Sequence, residues 1–173
     1  MDEVVVEGER DKWGVTPQPL SGGYVYDTAT QGFLGSKSVM DIPNQQISLT
    51  QKTIKDFAIP GREVDSVVIM DPAVRETGNE MSDIMIRGVG QNGYAFRING
   101  IPGMLIQNNM TPTSFADHID ITAGPGMGTR GSASRSGSPG GVVDIISKVA
   151  PKDHNVLNYT QTISGSGAFR VSV

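Results

Sequence analysis

Within a glycine-rich stretch, residues 124–141, Gly126 to Gly131 has the glycine spacing of a phosphate-binding loop. Gly126, Gly128 and Gly131 form the pattern G-x-G-x-x-G after an apolar run, and such glycines let backbone amides approach a phosphate closely. The residues that follow do not support this chemistry. Ser132 stands where a phosphate loop has a lysine, and the chain beyond it is a poor helix start. A nucleotide-binding enzyme is therefore the weakest interpretation of this loop.

The same stretch cannot form a packed core by itself. It contains seven glycines and four serines, and only Met127 and Ala133 offer non-proline apolar side chains, so ordering it costs much backbone entropy for little burial. A flexible surface linker would explain this composition. It would not explain the β-branched runs on either side, Ile119 to Thr122 and Val142 to Ser147, which predict two strands.

Other reactive side chains show no catalytic or metal-binding spacing. There is no G-x-S-x-G sequence, the acidic residues fall singly, and His118 and His154 are far apart. We therefore predict no enzymatic activity, no metal site and no cofactor. Both histidines are expected to act as caps or to be solvated.

Length and composition favour a single domain with a modest core. The chain has 173 residues, no cysteine, and a formal net charge of -4 without a lysine or arginine cluster, which argues against nucleic acid as a partner. No apolar run approaches the ~18 residues of a membrane helix. Met1 is followed directly by Asp2 and Glu3, without a signal peptide, so an exported protein would be represented by its mature form.

The predicted fold class is α+β, a small mixed β-sheet with two short helices and long glycine-rich loops. Thr50 is a helix N-cap before Gln51 to Phe57, whereas Glu63 to Met70 carries valines at helical spacing but is β-branched enough to be a strand. The segment Tyr24 to Ser38 is expected to be irregular, with the folded region beginning at Val39. The sheet is predicted from Ile47 to Leu49, Met85 to Arg87, Ala95 to Asn99, Ile119 to Thr122 and Val142 to Ser147.

Two of these strands, Met85 to Arg87 and Ala95 to Asn99, are expected to form a hairpin with an exposed tip. Their connection contains Asn92-Gly93, and Asn-Gly is a strong signal for a tight turn. The residues from Gly103 to Asp117 are polar and irregular, and a loop of about this length is more often functional than idle.

The N-terminal run DEVVVEG, Asp2 to Gly8, favours an extended backbone because it contains three successive valines. An extended terminal segment can add a strand to another protein's sheet, or it can be the first strand of this domain's own sheet. The mixture of charge, proline and glycine from Glu9 to Gly23 favours a tether that separates the run from any core.

Short motifs follow one another in a recognisable order along nearly the whole chain. Upstream are Thr28-Ala29-Thr30, Ile42-Pro43 before Gln46-Ile47-Ser48, Ile86-Arg87-Gly88 and Arg97-Ile98-Asn99-Gly100. After them come Gly124-Pro125, the Gly/Ser loop and the sequence S-P-G-G-V-V-D-I-I-S-K. Each fragment is weak by itself, but their ordered succession resembles the plug domain of TonB-dependent outer-membrane transporters, particularly the ferric-siderophore receptors.

This resemblance implies roles for the N-terminal segment and for two loops. The run Asp2, Glu3, Val4, Val5, Val6, Glu7 and Gly8 resembles a Ton box, which pairs with a periplasmic energy transducer of the TonB type. Plug domains gate a surrounding barrel, and their hairpin tip and the loops after it contact a ferric siderophore, which itself binds the iron. The corresponding ligand-binding residues of this chain are Gln91, Asn92, Tyr94, Met104, Gln107 and Asn108.

The resemblance also implies a contact with the barrel wall. In the family, the arginine of the I-R-G motif and a basic residue just before the G-P motif commonly pair with barrel glutamates. Arg87 matches the first, but Ala123 occupies the second position, so Arg130 or Arg135 would have to substitute. Without that pairing, Arg87 is an ordinary surface charge at the end of a hairpin.

By resemblance the chain has three parts. Residues 1–23 are a Ton-box-like segment and linker, residues 24–150 are the plug, and residues 151–173 are the first strand and part of the second strand of the barrel. The implied location is the bacterial outer membrane, inside the lumen of the protein's own C-terminal barrel with the N-terminus in the periplasm. The isolated fragment is expected to be soluble. The alternative is a freestanding periplasmic binding or adaptor module with the same fold.

Overall fold

The computed structural model describes residues 17–30, 35–59, 63–77, 84–90, 96–102, 113–124, 140–149, 160–163 and 169–172. Its first half contains β1 (Val25–Tyr26), β2 (Thr28–Thr30), β3 (Ser36–Ser38), a single-turn 3-10 helix (Val39–Asp41), β4 (Gln45–Leu49), α1 (Gln51–Phe57), α2 (Glu63–Val68), β5 (Val74–Glu76) and β6 (Ile84–Ile86). Its second half contains β7 (Val89–Gly90), β8 (Phe96–Ile98), β9 (Ile101–Pro102), β10 (Ala116–Ala123), β11 (Gly141–Ser147), β12 (Thr160–Ile163) and β13 (Phe169–Ser172).

A six-stranded central sheet organises the domain, in the order β1-β4-β10-β11-β8-β9. Strands β10 and β11 form its long antiparallel centre, whereas β11 and β8 are parallel. The sheet is therefore mixed, and with its two short helices it confirms the predicted α+β class. The β-branched composition of β10 and β11 suits a pleated surface covered on both faces.

One face of the central sheet carries the apolar core. Side chains alternate along a strand, so Ile119 and Ile121 of β10 share this face, and both are fully buried. Buried residues of the two helices join them. The core consists of Leu49, Ile54, Val64, Val67, Val68, Val74, Ile84, Ile86, Phe96, Ala116, Ile119, Ile121, Ala123, Val143 and Ile145.

Both helices follow from local sequence. The Thr50 hydroxyl accepts a hydrogen bond from the Thr53 amide at 3.4 Å, which confirms the predicted N-cap of α1. The second segment is a helix, and the strand alternative is wrong. Val64, Val67 and Val68 are all buried in the core, because spacings of three and four residues place them on one side of a helix.

The predicted hairpin between Met85 to Arg87 and Ala95 to Asn99 is wrong. The first segment corresponds to β6, which lies in a separate three-stranded sheet with β5 and β7. The second corresponds to β8, which pairs with β9 and, in parallel, with β11. Asn92-Gly93 lies outside the described residues.

The tight turns occur elsewhere along the chain. Arg87 and Gly88 have φ values of 52° and 78°, and Asn99 and Gly100 have φ values of 51° and 79°. Paired positive φ angles are those of a two-residue hairpin turn, whose twist matches that of the flanking strands. Each strand therefore turns back immediately, β6 onto β7 and β8 onto β9, so a hairpin between β6 and β8 cannot form.

The prediction that Tyr24 to Ser38 is irregular is also wrong. Val25 of β1 pairs with Leu49 of the central sheet, and β2 and β3 form an antiparallel hairpin. The sequence does not indicate these strands, because they are short and mostly polar and lack the apolar alternation that marks a half-buried strand. The folded region therefore begins before Val39.

Near the C-terminus, β12 and β13 pair in antiparallel register from Thr160–Ser172 to Ile163–Phe169. This pairing agrees with the prediction of two successive strands there. In the part of the chain that the structure describes, no helix has the length and apolar character needed to cross a membrane.

Gly141 allows the central and three-stranded sheets to pack closely. A Cβ atom at this position would lie 2.3 Å from the Thr122 carbonyl oxygen and 2.9 Å from Cγ2 of Ile86. Both distances are shorter than van der Waals contact, and the first involves backbone, which cannot rotate away. A side chain at residue 141 would therefore push β10 and β6 away from β11.

We predict that Gly141→Ala lowers the free energy of unfolding of this chain by about 1–3 kcal/mol or more, as expected for overpacking of a buried site. Urea denaturation measures the change. Gly90→Ala is the matched control, because a Cβ atom at residue 90 would meet nothing within 4 Å. Equal unfolding midpoints for Gly141→Ala and the unsubstituted chain would contradict the close approach.

Candidate functional surface

Most of the predicted functional residues lie outside the described part of the chain. This applies to Asp2 to Gly8, to the six ligand-binding residues, and to Arg130 and Arg135. Arg87 is described, as are the strand residues that border these segments. The positions of these bordering residues in the sheet show at which end of it the predicted ligand-binding segments begin and end.

Arg87 lies at the exposed turn between β6 and β7. Its amide donates to the Ala73 carbonyl at 2.9 Å, and its Nη2 donates to Oε1 of Gln45 at 2.8 Å. No described carboxylate forms an ion pair with it, so its charge is held by a neutral amide. The pKa of Asp71 is raised, because the effect of burial exceeds the opposing effects of the Ala73 amide hydrogen bond and the Arg87 charge.

Arg87 stands at the end of the central sheet where several described strands meet segments outside the described residues. Gln45 of β4 is opposite Ala123 of β10, which is opposite Gly141 of β11. We call this the Gln45 end. The Gly124 amide donates to the Gly140 carbonyl at 2.8 Å, which joins the two ends of the Gly/Ser loop.

Two further segments connect at or toward the Gln45 end. Phe96, the first residue of β8, is opposite Val143 near the start of β11, so the parallel strand β8 begins toward this end. Strand β9 runs back along β8, with Pro102 opposite Arg97, so the chain also leaves β9 toward this end. The sheet thus brings together the attachment points of the predicted ligand-binding and Arg130/Arg135 segments.

The second face of the central sheet carries a row of buried polar side chains. Ser48, Asp120, Asp144 and Arg97 are directly opposite one another on β4, β10, β11 and β8, and directly opposite residues share a face. Asp120 is 0% exposed, and Asp144 and Arg97 are each 3% exposed. Charged groups so deeply buried require partners.

The carboxylates of this polar row accept hydrogen bonds from backbone amides. Oδ2 of Asp120 accepts from the Thr30 amide at 2.9 Å, and Oδ1 of Asp144 accepts from the Gly100 amide at 2.9 Å. The other oxygen of Asp120, Oδ1, has no hydrogen-bond partner within the described residues. Asp120 therefore ties the β2–β3 hairpin to the sheet, and Asp144 ties down the β8–β9 turn.

His118 lies next to this row and is largely buried, with 14% of its side chain exposed. Its Nδ1 is 2.8 Å from Oδ2 of Asp117, and its Nε2 is 3.9 Å from Oδ1 of Asp120. The ring also meets the Tyr26 ring edge to face, at a centroid distance of 5.7 Å. The expectation of a capping or solvated histidine is wrong, because β1 covers this side chain.

The acidic surroundings of His118 determine its charge. Burial by itself lowers the pKa of His118, but the hydrogen bond with Asp117 and the charges of Asp120, Asp117 and Asp144 together raise it above the ordinary value of 6.5. The same hydrogen bond lowers the pKa of Asp117, against the effect of its burial. Burial, and then the Asp117 charge, raise the pKa of Tyr26.

The N-terminal layer, which we define as β1, the edge strand of the central sheet, with the β2–β3 hairpin, is attached by Val25, which packs against the core, and by several polar contacts. Nε2 of Gln46 donates to the Thr30 carbonyl at 2.8 Å. The Thr50 hydroxyl and amide donate to the carbonyls of Gly23 and Tyr24, at 2.7 Å and 3.1 Å. The Thr53 hydroxyl also donates to the Tyr24 carbonyl.

A surface contact reinforces this attachment. Nζ of Lys52, on α1, donates to the Gly22 carbonyl at 2.8 Å and lies 4.1 Å from the centroid of the Tyr24 ring. The Tyr24 ring is itself tilted against Phe57, at a centroid distance of 5.8 Å. The chain leading into β1 is thus held by α1 as well as by β4.

Sequence reasoning missed the buried charges because it considered each acidic residue singly. A detectable signal was present, since Asp120 and Asp144 each interrupt a β-branched run, I-D-I-T and V-V-D-I-I. An acid in the middle of such a strand must occupy the face opposite the apolar one. In the described ranges, no group of three or more histidine and acidic side chains has the arrangement of a metal site.

A protein-family model described as the TonB-dependent receptor plug domain matches residues 38–142. The ferrichrome receptor FcuA of Yersinia enterocolitica is 24% identical over 155 residues, covering 86% of this chain and 20% of the receptor. This chain therefore spans about a fifth of the length of that relative.

Solved structures agree with this match. The ferric preacinetobactin receptor BauA of Acinetobacter baumannii superposes with a TM-score of 0.64 and 28% identity, over 79% of this chain and 20% of that one. The pyoverdine outer-membrane receptor FpvA of Pseudomonas aeruginosa gives a TM-score of 0.62 at 18% identity, over 88% of this chain and 21% of that one. The second likeness shows a shared fold alone. Since the family model matches more than half of its 173 residues, this chain belongs to the TonB-dependent receptor plug domain family.

Proposed function

We propose that this chain is the plug of an outer-membrane active transporter for a ferric siderophore or a similar chelate. The observation that carries the proposal is the family match over residues 38–142. The named relatives, a ferrichrome receptor and a ferric preacinetobactin receptor, support the ligand class. In this proposal the plug gates the lumen of its own C-terminal barrel in the bacterial outer membrane. Its N-terminus faces the periplasm.

Iron uptake by the full-length receptor tests the proposal as a whole. Cells that lack their own siderophore receptors and express the full-length protein should accumulate radiolabelled ferric siderophore. The accumulation should depend on the TonB-type transducer and stop when the transducer is deleted. Failure to accumulate any of a panel of hydroxamate, catecholate and mixed-ligand chelates would contradict the ligand class.

The second part of the proposal is coupling through Asp2 to Gly8. An extended segment with free amides can pair as an added strand with an energy transducer of the TonB type. The first described residues are consistent with a tether that enters at one side of the sheet, since Pro19 forms a bridge with Tyr26 of the edge strand β1.

We predict that Val5→Pro in the full-length receptor abolishes transport while ligand affinity stays unchanged, because proline removes the amide needed for strand pairing. Uptake and equilibrium binding of the ferric siderophore measure the two effects. Val5→Ala is the control and should transport normally, because it keeps the amide. If Val5→Pro instead lowers the unfolding free energy of the 173-residue chain, the run is a strand of the domain's own sheet.

The third part of the proposal is the ligand face, formed by Gln91, Asn92, Tyr94, Met104, Gln107 and Asn108. Side-chain amides both donate and accept hydrogen bonds, and a tyrosine adds an aromatic surface with a polar tip. Such groups can hold a bulky polar chelate without a bond to its metal. The convergence of attachment points toward the Gln45 end supports a shared surface for the two groups of residues.

We predict that Gln91→Ala, Tyr94→Ala and Gln107→Ala together weaken ferric-siderophore binding by the full-length receptor at least about tenfold, the effect of losing two or three hydrogen bonds. Binding titration measures the affinity. Gln18→Ala with Lys37→Ala, two exposed positions of the N-terminal part, is the control and should leave affinity unchanged. An unchanged affinity in the triple variant would show that the ligand face is misplaced.

The fourth part of the proposal is that Arg87 contacts an acidic residue of the barrel wall, with Arg130 or Arg135 in the role of the missing basic residue at Ala123. Arg87 is exposed and has a neutral partner, Gln45. Its charge is thus available to a carboxylate supplied from outside the domain.

We predict that Arg87→Ala changes the unfolding free energy of the 173-residue chain by less than about 1 kcal/mol, because the side chain is exposed, but reduces transport by the full-length receptor. Arg75→Ala is the matched control, an exposed arginine on the neighbouring strand β5. Transport by Arg87→Ala at the level of Arg75→Ala would rule out a seating role.

A further inference from the structure

The polar row contains a buried carboxylate oxygen, Oδ1 of Asp120, that has no hydrogen-bond partner within the described residues. Asp120 and Asp144 contribute two carboxylates, whereas Arg97 contributes one guanidinium, and all three are buried. A buried carboxylate without a compensating charge is costly. His118 is placed to supply a positive charge to Asp120, since its Nε2 is 3.9 Å from the oxygen of Asp120 that lacks a hydrogen bond.

The groups around His118 come from every strand packed against it. Asp117 and Asp120 lie on β10 itself, Asp144 acts from β11, and Tyr26 covers the ring from β1. Lys148, just beyond β11, acts on Asp117. Acidic groups therefore outnumber basic ones around the imidazole, which favours its protonated form.

The same groups hold the N-terminal layer. Tyr26 of β1 touches the His118 ring, and the Thr30 amide of β2 donates to Asp120. Two apolar side chains of this layer also contribute, since Ala29 is buried and Val25 packs partly buried against the core, so the polar contacts act beside a small apolar one. The charge of His118 thus acts at the contacts on which the layer depends.

We propose that His118 is a pH-dependent latch for the N-terminal layer. When protonated, it balances Asp120 and holds β1 at the edge of the central sheet and the β2–β3 hairpin against the polar row. When neutral, it no longer offers a positive charge to the buried Asp120 carboxylate, and the layer detaches more readily so that water can reach that carboxylate.

The sign of the effect follows from linkage between proton binding and attachment. A histidine whose pKa is raised in the attached state stabilises that state fully below its ordinary value of 6.5. This stabilisation is lost as the pH rises through the raised pKa. Asp117 works in the opposite direction, because its pKa is lowered and its contribution is lost only as the pH falls below 3.8. Attachment is therefore strongest in weakly acidic solution.

Amide hydrogen exchange followed by NMR on the 173-residue chain tests the latch. The Thr30 amide donates to Asp120 of the central sheet, and the Thr50 amide donates to the Tyr24 carbonyl beside β1. Protection factors at these two amides therefore report the attachment of the N-terminal layer. Amides of the β10–β11 pair serve as the reference, because they report the stability of the central sheet. Between about pH 6 and about pH 8, we expect protection of Thr30 and Thr50 to fall at least about twofold, within the limit of about tenfold per pH unit for one linked proton. Protection of β10 and β11 should change much less.

His118→Gln should remove this pH dependence, and His154→Gln should retain it. The ring proton resonances of the unsubstituted chain give a measurement that needs no substitution, with His154→Gln identifying the His118 signal. His118 should titrate above 6.5, and Asp117→Asn should lower its midpoint. Titration of His118 at or below 6.5, or pH-dependent protection of Thr30 that persists in His118→Gln, would overturn the proposal.

Discussion

The antiparallel pair of β10 and β11 is the constraint on which the rest of the domain depends. Each strand is β-branched and carries one acid in its middle, so pairing them in register creates one apolar face and one charged face at once. A shift of one residue would place Asp120 among the isoleucines of the core. The register is thus specified from both sides, and both layers of the domain are built on it.

The two faces attach their layers by different physical means. The helices are held by buried apolar side chains such as Val67 and Ile54, whose burial stabilises without directional requirements. The N-terminal layer is held by hydrogen bonds to Asp120, Gln46 and Thr50, each of which contributes little net free energy because water offers an alternative. Separate parts of one small domain can therefore differ in how readily they open.

The sequence predicted those elements whose signal is local. The N-cap at Thr50, the helix after it, and the strands of β4, β10 and β11 follow from residue type and periodicity over fewer than ten residues. The hairpin prediction failed because strand partners are chosen by distant packing. Strand β8 pairs in parallel with β11, with Phe96 opposite Val143, and no local pattern records that choice. The buried charges were missed for the same reason, since Asp120 and Asp144 gain meaning only once their strands are paired.

The Gly/Ser loop follows from this arrangement of strands. A β10–β11 pair could be closed by two residues, yet residues 125–139 separate Gly124 from Gly140, whose backbones are joined by a hydrogen bond. Gly141 then lets the three-stranded sheet approach this base, and Arg87 of that sheet bonds to Gln45 beside it. The sheets are therefore closely packed at the residues where the Gly/Ser loop begins and ends. A loop that gains little from its own burial can keep a fixed origin only under that condition, and the same fixed origin serves the segments that enter at Phe96 and leave beyond Pro102.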